Sequence, residues 1–419
     1  MRSIFQQISR LVRRSPLPPL VFSNSRFQRL SPDLKIEEET FPDYLAARYY
    51  PVRIGEVFVS RYQVVGKLGY GAFSTVWLAR DLNQHRHVAL KVFIYSQAMG
   101  NKADHELAIY NHLATISSKS RHRFCNAVRT LLDSFKVTGP DGVHHCLVHP
   151  PLWDSVDVFL ARNPVRRLPI PVLGVVLHYV FLALDFLHTE CNLIHTDLKA
   201  DNIMMGAADD TALEDFEREE LENPSPRKEV DGRFIYVSRQ LNPPKNYTPP
   251  VLCDFGSAVS SEKENTTVVQ PEVYRSPEVT LGIPWDSKID IWNVGCMVKM
   301  TLNIWNIFEG GNMFSGRDPE HKAYRARAHL ASMISLLGPP PPELIKRRSL
   351  SARFFSEEGK FNTGIPLPPA RSFEEMETNL QGTEKELFIQ FVRKMMQWAP
   401  ENRSTAKELL KDPWLRAHI

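Results

Sequence analysis

The chain has 419 residues, 43% hydrophobic and 24% charged, with a formal net charge of +3, an ordinary globular composition long enough for two lobes or domains. So mild a charge, with no basic run interleaved with aromatics, excludes the electrostatic footprint of a nucleic-acid binder. The five cysteines, Cys125, Cys146, Cys191, Cys253 and Cys296, are odd in number and never paired as CxxC, which excludes a disulfide framework and a zinc site and fits a reducing compartment. No run approaches the roughly 18 to 20 uninterrupted apolar residues of a bilayer span.

The first 32 residues hold six Arg and no Asp or Glu. Ile4, Phe5, Ile8, Leu11 and Val12 fall at helical spacing opposite Arg10, Arg13 and Arg14, which is the pattern of a mitochondrial presequence. A disordered basic tail, broken by SPLPP at 15–19, is the equal alternative. Residues 1–40 are read as this basic leader and 41–61 as an N-terminal extension. The runs VVGKL, TVWLA and VALKVF then predict an antiparallel meander. KADHELAIYNHLATI, at 102–116, has helical spacing, and TLLDSF and HHCLVHPP read as two further strands, so residues 62–152 form a small β-rich lobe. From 153 to 414 the pattern turns helical, beginning with the proline-started PIPVLGVVLHYVFLALDFLHTE and continuing through DIWNVGCMVKM, RAHLASMISLL and EKELFIQFVRKMMQ; 415–419 are a short tail. Residues 206–250 interrupt this lobe with an acid-rich stretch and a Pro-rich one. They are expected to be helical at most around 212–222 and otherwise a solvated, disordered loop.

LIHTDLKADNIMM places Asp197, Lys199 and Asn202 in one apolar-flanked turn. Phosphoryl transfer needs about this set: an Asp to accept a proton, a Lys to neutralise the moving phosphoryl group and an Asn to hold a metal ion. In LGYGAFSTV the missing side chains of Gly69 and Gly71 let backbone N–H groups close over phosphates, although plain turn glycines would look the same. Lys91 follows on the next-but-one strand, and Glu106 on the following helix is its natural ion-pair partner. After the insertion, VLCDFGSAV delivers Asp254, which with Asn202 offers the oxygen ligands that Mg²⁺ requires. No GxxxxGK[ST] is present, which excludes a P-loop NTPase.

In this order the motifs resemble those of the eukaryotic protein kinases, and the match runs over residues 62–414. KLGYGAFSTVWLARD, LDFLHTECNLIHTDLK and YRSPEV are most similar to the serine/arginine-rich-protein kinase subgroup in its fungal form. The resemblance implies an α+β, two-lobed fold with a β-rich N-lobe carrying one helix and a mainly helical C-lobe. It implies ATP and Mg²⁺, with ATP held by Leu68, Gly69, Tyr70, Gly71, Ala72, Phe73, Ser74, Val76, Ala89, Lys91, Glu106, Pro150 and Leu152. Pro150 keeps the carbonyl and Leu152 the N–H that adenine requires. Glu278 and Arg403 correspond to the ion pair of the large lobe, and Lys199 favours Ser/Thr acceptors. The partner implied is a protein with a Ser or Thr acceptor, in Arg-rich segments by the subgroup's habit, with no nucleic acid, no membrane span and a monomeric enzyme. The address implied is cytoplasm or nucleus, or mitochondria if the leader is a presequence. A pseudokinase is the alternative. Two residues depart from the family pattern: Thr196 stands where many kinases place an Arg that binds an activation-segment phosphate, and Pro271 replaces a Thr whose hydroxyl touches the catalytic residues.

Overall fold

A computed structural model describes residues 15–95, 102–120, 125–164, 168–302, 313–347 and 350–419. They form two compact units. The first takes the described residues up to Leu107, then Thr130–Trp153 and Gly206–Thr248; the second takes Ala108–Arg129, Asp154–Met205 and Pro249–Ile419.

The first unit is built on a six-stranded sheet: β1 (Val57–Phe58), β2 (Tyr62–Gly71), β3 (Ser74–Asp81), β4 (Arg86–Phe93), β5 (Asp133–Thr138) and β6 (Val143–His149), in the order β1-β2-β3-β4-β6-β5 with antiparallel neighbours throughout. The β-branched and aromatic runs that predicted the meander supply its core, in which Val64, Trp77, Ala79, Val88, Leu90, Val92, Cys146 and Val148 are buried together. At the edge, β5 alternates half-buried and exposed residues, as a one-sided strand should.

Residues 206–248 do not behave as a solvated loop, which corrects that expectation. The helix Thr211–Glu222 lies against β2, where Phe216 is buried and Gly66 has no side chain to displace it: a Cβ there would stand 2.7 Å from the Phe216 ring. Burying one such ring stabilises by roughly 2 to 3 kcal/mol. The hairpin of Arg227–Val230 and Arg233–Tyr236 follows, and Tyr236 packs edge-on to Trp77 at 5.6 Å. The insertion's charge is also matched by basic groups of the same unit, with Glu219 and Glu220 on Arg239 at 3.2 and 3.0 Å and Glu217 on Arg80 at 3.3 Å. The acid-rich composition that suggested disorder therefore reflects ion pairs within the fold.

Residues 15–40, read as leader, run over the same unit. Leu20 exchanges two 2.8 Å hydrogen bonds with the buried Gln63 amide, and Leu30 and Gln28 pair with the backbone of Arg227. The amphipathic run at 4–12, with Arg10, Arg13 and Arg14, lies outside the described residues.

The second unit is mainly helical. Its longest helix, Ile170–Thr189, starts with Pro171 in its first turn and is apolar nearly all round. By length and composition it could cross a bilayer, but 67% of its most apolar window is buried inside the unit, the position of a core helix. Gly382–Arg393 and the C-terminal Trp414 close the unit, the indole lying 4.9 Å from Phe388 and 5.1 Å from Phe391. Cys146, Cys191, Cys253 and Cys296 are buried free thiols, as their scatter predicts.

Candidate active site

In the first unit the β2–β3 hairpin pairs Gly69 with Val76, Tyr70 with Thr75 and Gly71 with Ser74. Neither Gly69 nor Gly71 has a positive φ. A Cβ at Gly69 would meet nothing within 4 Å, and one at Gly71 only the Ser74 carbonyl at 3.9 Å. Neither turn geometry nor packing requires glycine here, so what the two residues provide is open backbone on which a ligand can close. Ser74, at the place of a third glycine, is an ordinary buried strand residue paired with Phe93. Leu68 sits at a register irregularity between Lys67 and Gly69, and Ala72 and Phe73 make the turn between the strands.

Lys91 lies between Val76 on β3 and Leu147 on β6. Its ammonium donates to both carboxylate oxygens of Glu106, at 2.9 and 2.8 Å, from the helix Lys102–Ser117. Glu106 is 2% exposed, so the pair is a fixed charge rather than a surface contact. Ala89 is in register with Leu78 and His149, and Pro150 and Leu152 are half-buried in the irregular chain after β6. His149 is a packed residue with Nδ1 on the Thr130 carbonyl at 2.8 Å.

In the second unit the loop carrying Asp197 hangs from Asp290, which is wholly buried. Its carboxylate accepts the backbone N–H of His195 at 2.8 Å and of Thr196 at 2.9 Å, and contacts His188 Nε2 at 2.9 Å. The next residue, Asp197, points its Oδ2 at two donors, Lys199 Nζ at 2.9 Å and Asn202 Nδ2 at 3.2 Å. Asn202 Nδ2 also donates to the Asp197 carbonyl at 2.8 Å. These bonds fix the amide's orientation and leave its Oδ1 as the group to present to a cation.

Two motif neighbours have roles that spacing alone did not assign. His195 Nε2 contacts the Cys253 carbonyl at 3.0 Å while Nδ1 receives the Asp197 N–H at 3.3 Å. That pattern assigns the proton of the ring to Nε2 and ties the Asp197 loop to the residue before Asp254. Its signal was the His two places before the Asp. Thr196 Oγ1 donates to the Ser257 carbonyl at 2.8 Å, on the far side of the same motif.

Asp254 has φ +65°, a left-handed conformation that Asp tolerates better than most residues and that concentrates at functional sites. Phe255 anchors it, fully buried and edge-on to Tyr110 and His195 at 5.5 and 5.4 Å. The donor set fits Mg²⁺: a carboxylate on a rigidly held turn and an amide oxygen on a fixed side chain are hard oxygen ligands. Beyond it, Glu278 and Arg403 form a fully buried bidentate pair at 2.6 and 2.7 Å, with the guanidinium over Trp292. Pro271 is half-buried and opens the turn Glu272–Tyr274.

The protein kinase domain model matches residues 62–251 and 246–415. A serine/threonine protein kinase of Aspergillus fumigatus is 40% identical over 417 residues, covering 99% of both chains. The serine/threonine-protein kinase SRPK of Physarum polycephalum is 32% identical over 90% of this chain and 91% of its own. SRSF protein kinase 3 of Mus musculus is 24% identical over 90% of each. The motif order, a sheet-rich unit that fixes a lysine and a helical unit that fixes an aspartate have one common explanation, which these relatives share: the chain belongs to the protein kinase family, among serine/threonine kinases of SR-protein kinase type.

Proposed function

We propose that this kinase transfers the γ-phosphoryl group of Mg-ATP to serine in arginine-flanked stretches of protein. The carrying observation is the Asp197 carboxylate, whose Oδ2 is held by Lys199 and Asn202 while Oδ1 is left for a substrate hydroxyl. Oδ1 orients that hydroxyl and takes its proton as the oxygen bonds to the γ-phosphorus and the bond from that phosphorus to the β-phosphate oxygen breaks, releasing ADP. The Lys199 ammonium, beside Oδ2, stabilises the charge that develops on the moving phosphoryl group. Lys91, aimed by Glu106, holds the α- and β-phosphates under the open backbone of Gly69 and Gly71. Leu68, Val76, Ala89, Pro150 and Leu152 serve the adenine. Asn202 and Asp254 would hold Mg²⁺, which when bound neutralises phosphate charge.

The arginine preference is supported by the likeness to SR-protein kinases and by the exposed Glu272 three residues before Arg275. The insertion adds little to it, because Asp215, Glu217, Glu219 and Glu220 already meet basic groups of this chain. The enzyme is read as a monomer of the cytoplasm or nucleus, with mitochondria as the address if the leader is a presequence. A peptide array phosphorylated by the purified protein, with the Asp197→Asn variant as blank, tests the reading. Incorporation that rises with Arg beside Ser is expected. Incorporation indifferent to Arg overturns the substrate class, and none at all above the blank overturns the activity.

A further inference from the structure

Tyr70 is the next-to-last residue of β2, paired with Thr75 beside the Ala72–Phe73 turn, and is 41% exposed, yet its ring is not loose. It meets Phe41 edge-on, with centroids 5.8 Å apart and planes at 66°. Phe41 belongs to the N-terminal extension, and the extension is bolted down immediately before it. The turn Glu37–Thr40 carries three consecutive carboxylates, each committed to a partner. Glu38 pairs with the Lys67 ammonium, and Glu37 reaches the same ammonium at 3.4 Å. Glu37 also accepts from the Ser238 N–H and hydroxyl at 3.0 and 2.7 Å, and Glu39 pairs with Lys228 at 2.8 Å. Lys67 is 1% exposed, sits on β2 three residues before Tyr70, and lies 5.3 Å from the Tyr70 ring. Phe41 then donates its own N–H to the Glu38 carbonyl at 3.2 Å.

Gly69 and Gly71 flank Tyr70 with no side chains of their own, so this end of the hairpin is held by its strand pairing alone, and the freedom it keeps must be given up when phosphates bind. We propose that Phe41 is a positioning residue for ATP: through the Tyr70 ring it holds the phosphate-covering loop in place before nucleotide arrives, on a footing made by the Glu37/Glu38 pair with Lys67. This deepens the kinase reading and rests on it for the identity of the ligand. It does not touch the reacting atoms, so its signature is a split between constants. Phe41→Ala is expected to raise KM for ATP about two- to tenfold, the factor that one aromatic pair is worth, with kcat and the peptide KM unchanged. Amide hydrogen exchange over residues 68–73 should quicken in the same variant. Phe41→Tyr should restore both, Tyr70→Ala should reproduce the ATP effect, and the double variant should be no worse than either single one. Leu45→Ala, on the exposed side of the same extension, should leave all of these alone. An unchanged ATP KM with unchanged exchange in Phe41→Ala overturns the proposal, as do additive effects of the two rings. Should the wild type turn over no ATP, the kinase reading fails while the exchange result still decides whether Phe41 orders the loop.

Discussion

The Thr196 hydroxyl donates to the Ser257 carbonyl at 2.8 Å, joining the residue before Asp197 to the residue after Gly256. An arginine in that place would be a charge awaiting a phosphate; a hydroxyl is satisfied by the carbonyl it already holds. The rest of the segment is ordered by similar means. Trp285 bonds the carbonyls of Asn265 and Thr267 at 3.0 Å each, and the Gln270 amide spans Ile289, Asn293 and Ser276. Arg275 spends its donors on the carbonyls of Val269 and Gln270. Protein made in bacteria and stripped by phosphatase should therefore keep its turnover. Thr196→Val should lower kcat about fivefold, for about 1 kcal/mol of lost hydrogen bond. Activity that appears only after an upstream kinase modifies the segment would falsify this account.

Lys91 and Asp254 should both be indispensable, but their variants should differ in stability. Removing Lys91 deprives the buried Glu106 of its ammonium, a loss on the order of 3 kcal/mol. Lys91→Met should therefore melt earlier as well as lose turnover, and the double variant Lys91→Met/Glu106→Gln should regain the melting temperature without regaining activity. Asp254→Asn should fold normally, since Asn accepts φ +65° as readily as Asp, while turnover falls at least about a hundredfold. Melting curves beside turnover numbers check all three.

What could be read beforehand was what local chemistry dictates. Asp197, Lys199, Asn202 and Asp254 are spaced by the turns that carry them, and the Lys91–Glu106 pair follows from strand and helix order. The insertion was misread because its ion pairs are long-range: nothing near Glu220 in the chain announces Arg239, and nothing near Gly66 announces Phe216. The contact of Phe41 with Tyr70 was illegible for the same reason, since an aromatic in an irregular extension has no periodicity to betray its partner.

The leader bears on both address and stability. Cleavage shortly before PDLKIEEE would remove Leu17, Leu20, Asn24 and Leu30, whose hydrogen bonds reach Leu82, Gln63, Leu221 and Arg227. A fusion of residues 1–40 to a fluorescent protein should light mitochondria if the presequence reading holds, and a diffuse cytosolic signal would leave only the tail. In either case a chain beginning at Pro32 should melt several degrees below the full chain, because seven backbone or amide hydrogen bonds made by Leu17, Leu20, Asn24, Gln28 and Leu30 are lost, each worth about 1 kcal/mol net at most. An unchanged melting point would show that those contacts contribute nothing net.

Acid should loosen the second unit through His329. The ring is buried under the segment that ends in Arg275, with Nε2 on the Arg275 carbonyl at 2.9 Å and its faces near Phe314 and Tyr324. Burial pushes its pKa down from 6.5 to about 4, the nearby Arg275 charge adding to the effect and the carbonyl bond opposing it. The sign follows from proton counting. Between pH 6.5 and about 4 the unfolded chain binds a proton on this imidazole that the folded chain refuses, so stability falls as pH falls through that window and is insensitive to this group above it. The full effect is on the order of 3 kcal/mol. His329→Gln can still donate to the Arg275 carbonyl but cannot titrate. Melting temperatures of wild type and variant, compared from pH 7.5 to pH 4.5, should converge as the pH drops, the wild type losing its lead. Parallel curves would mean that His329 takes up its proton in the folded protein as easily as in the unfolded one, and the burial argument would fall.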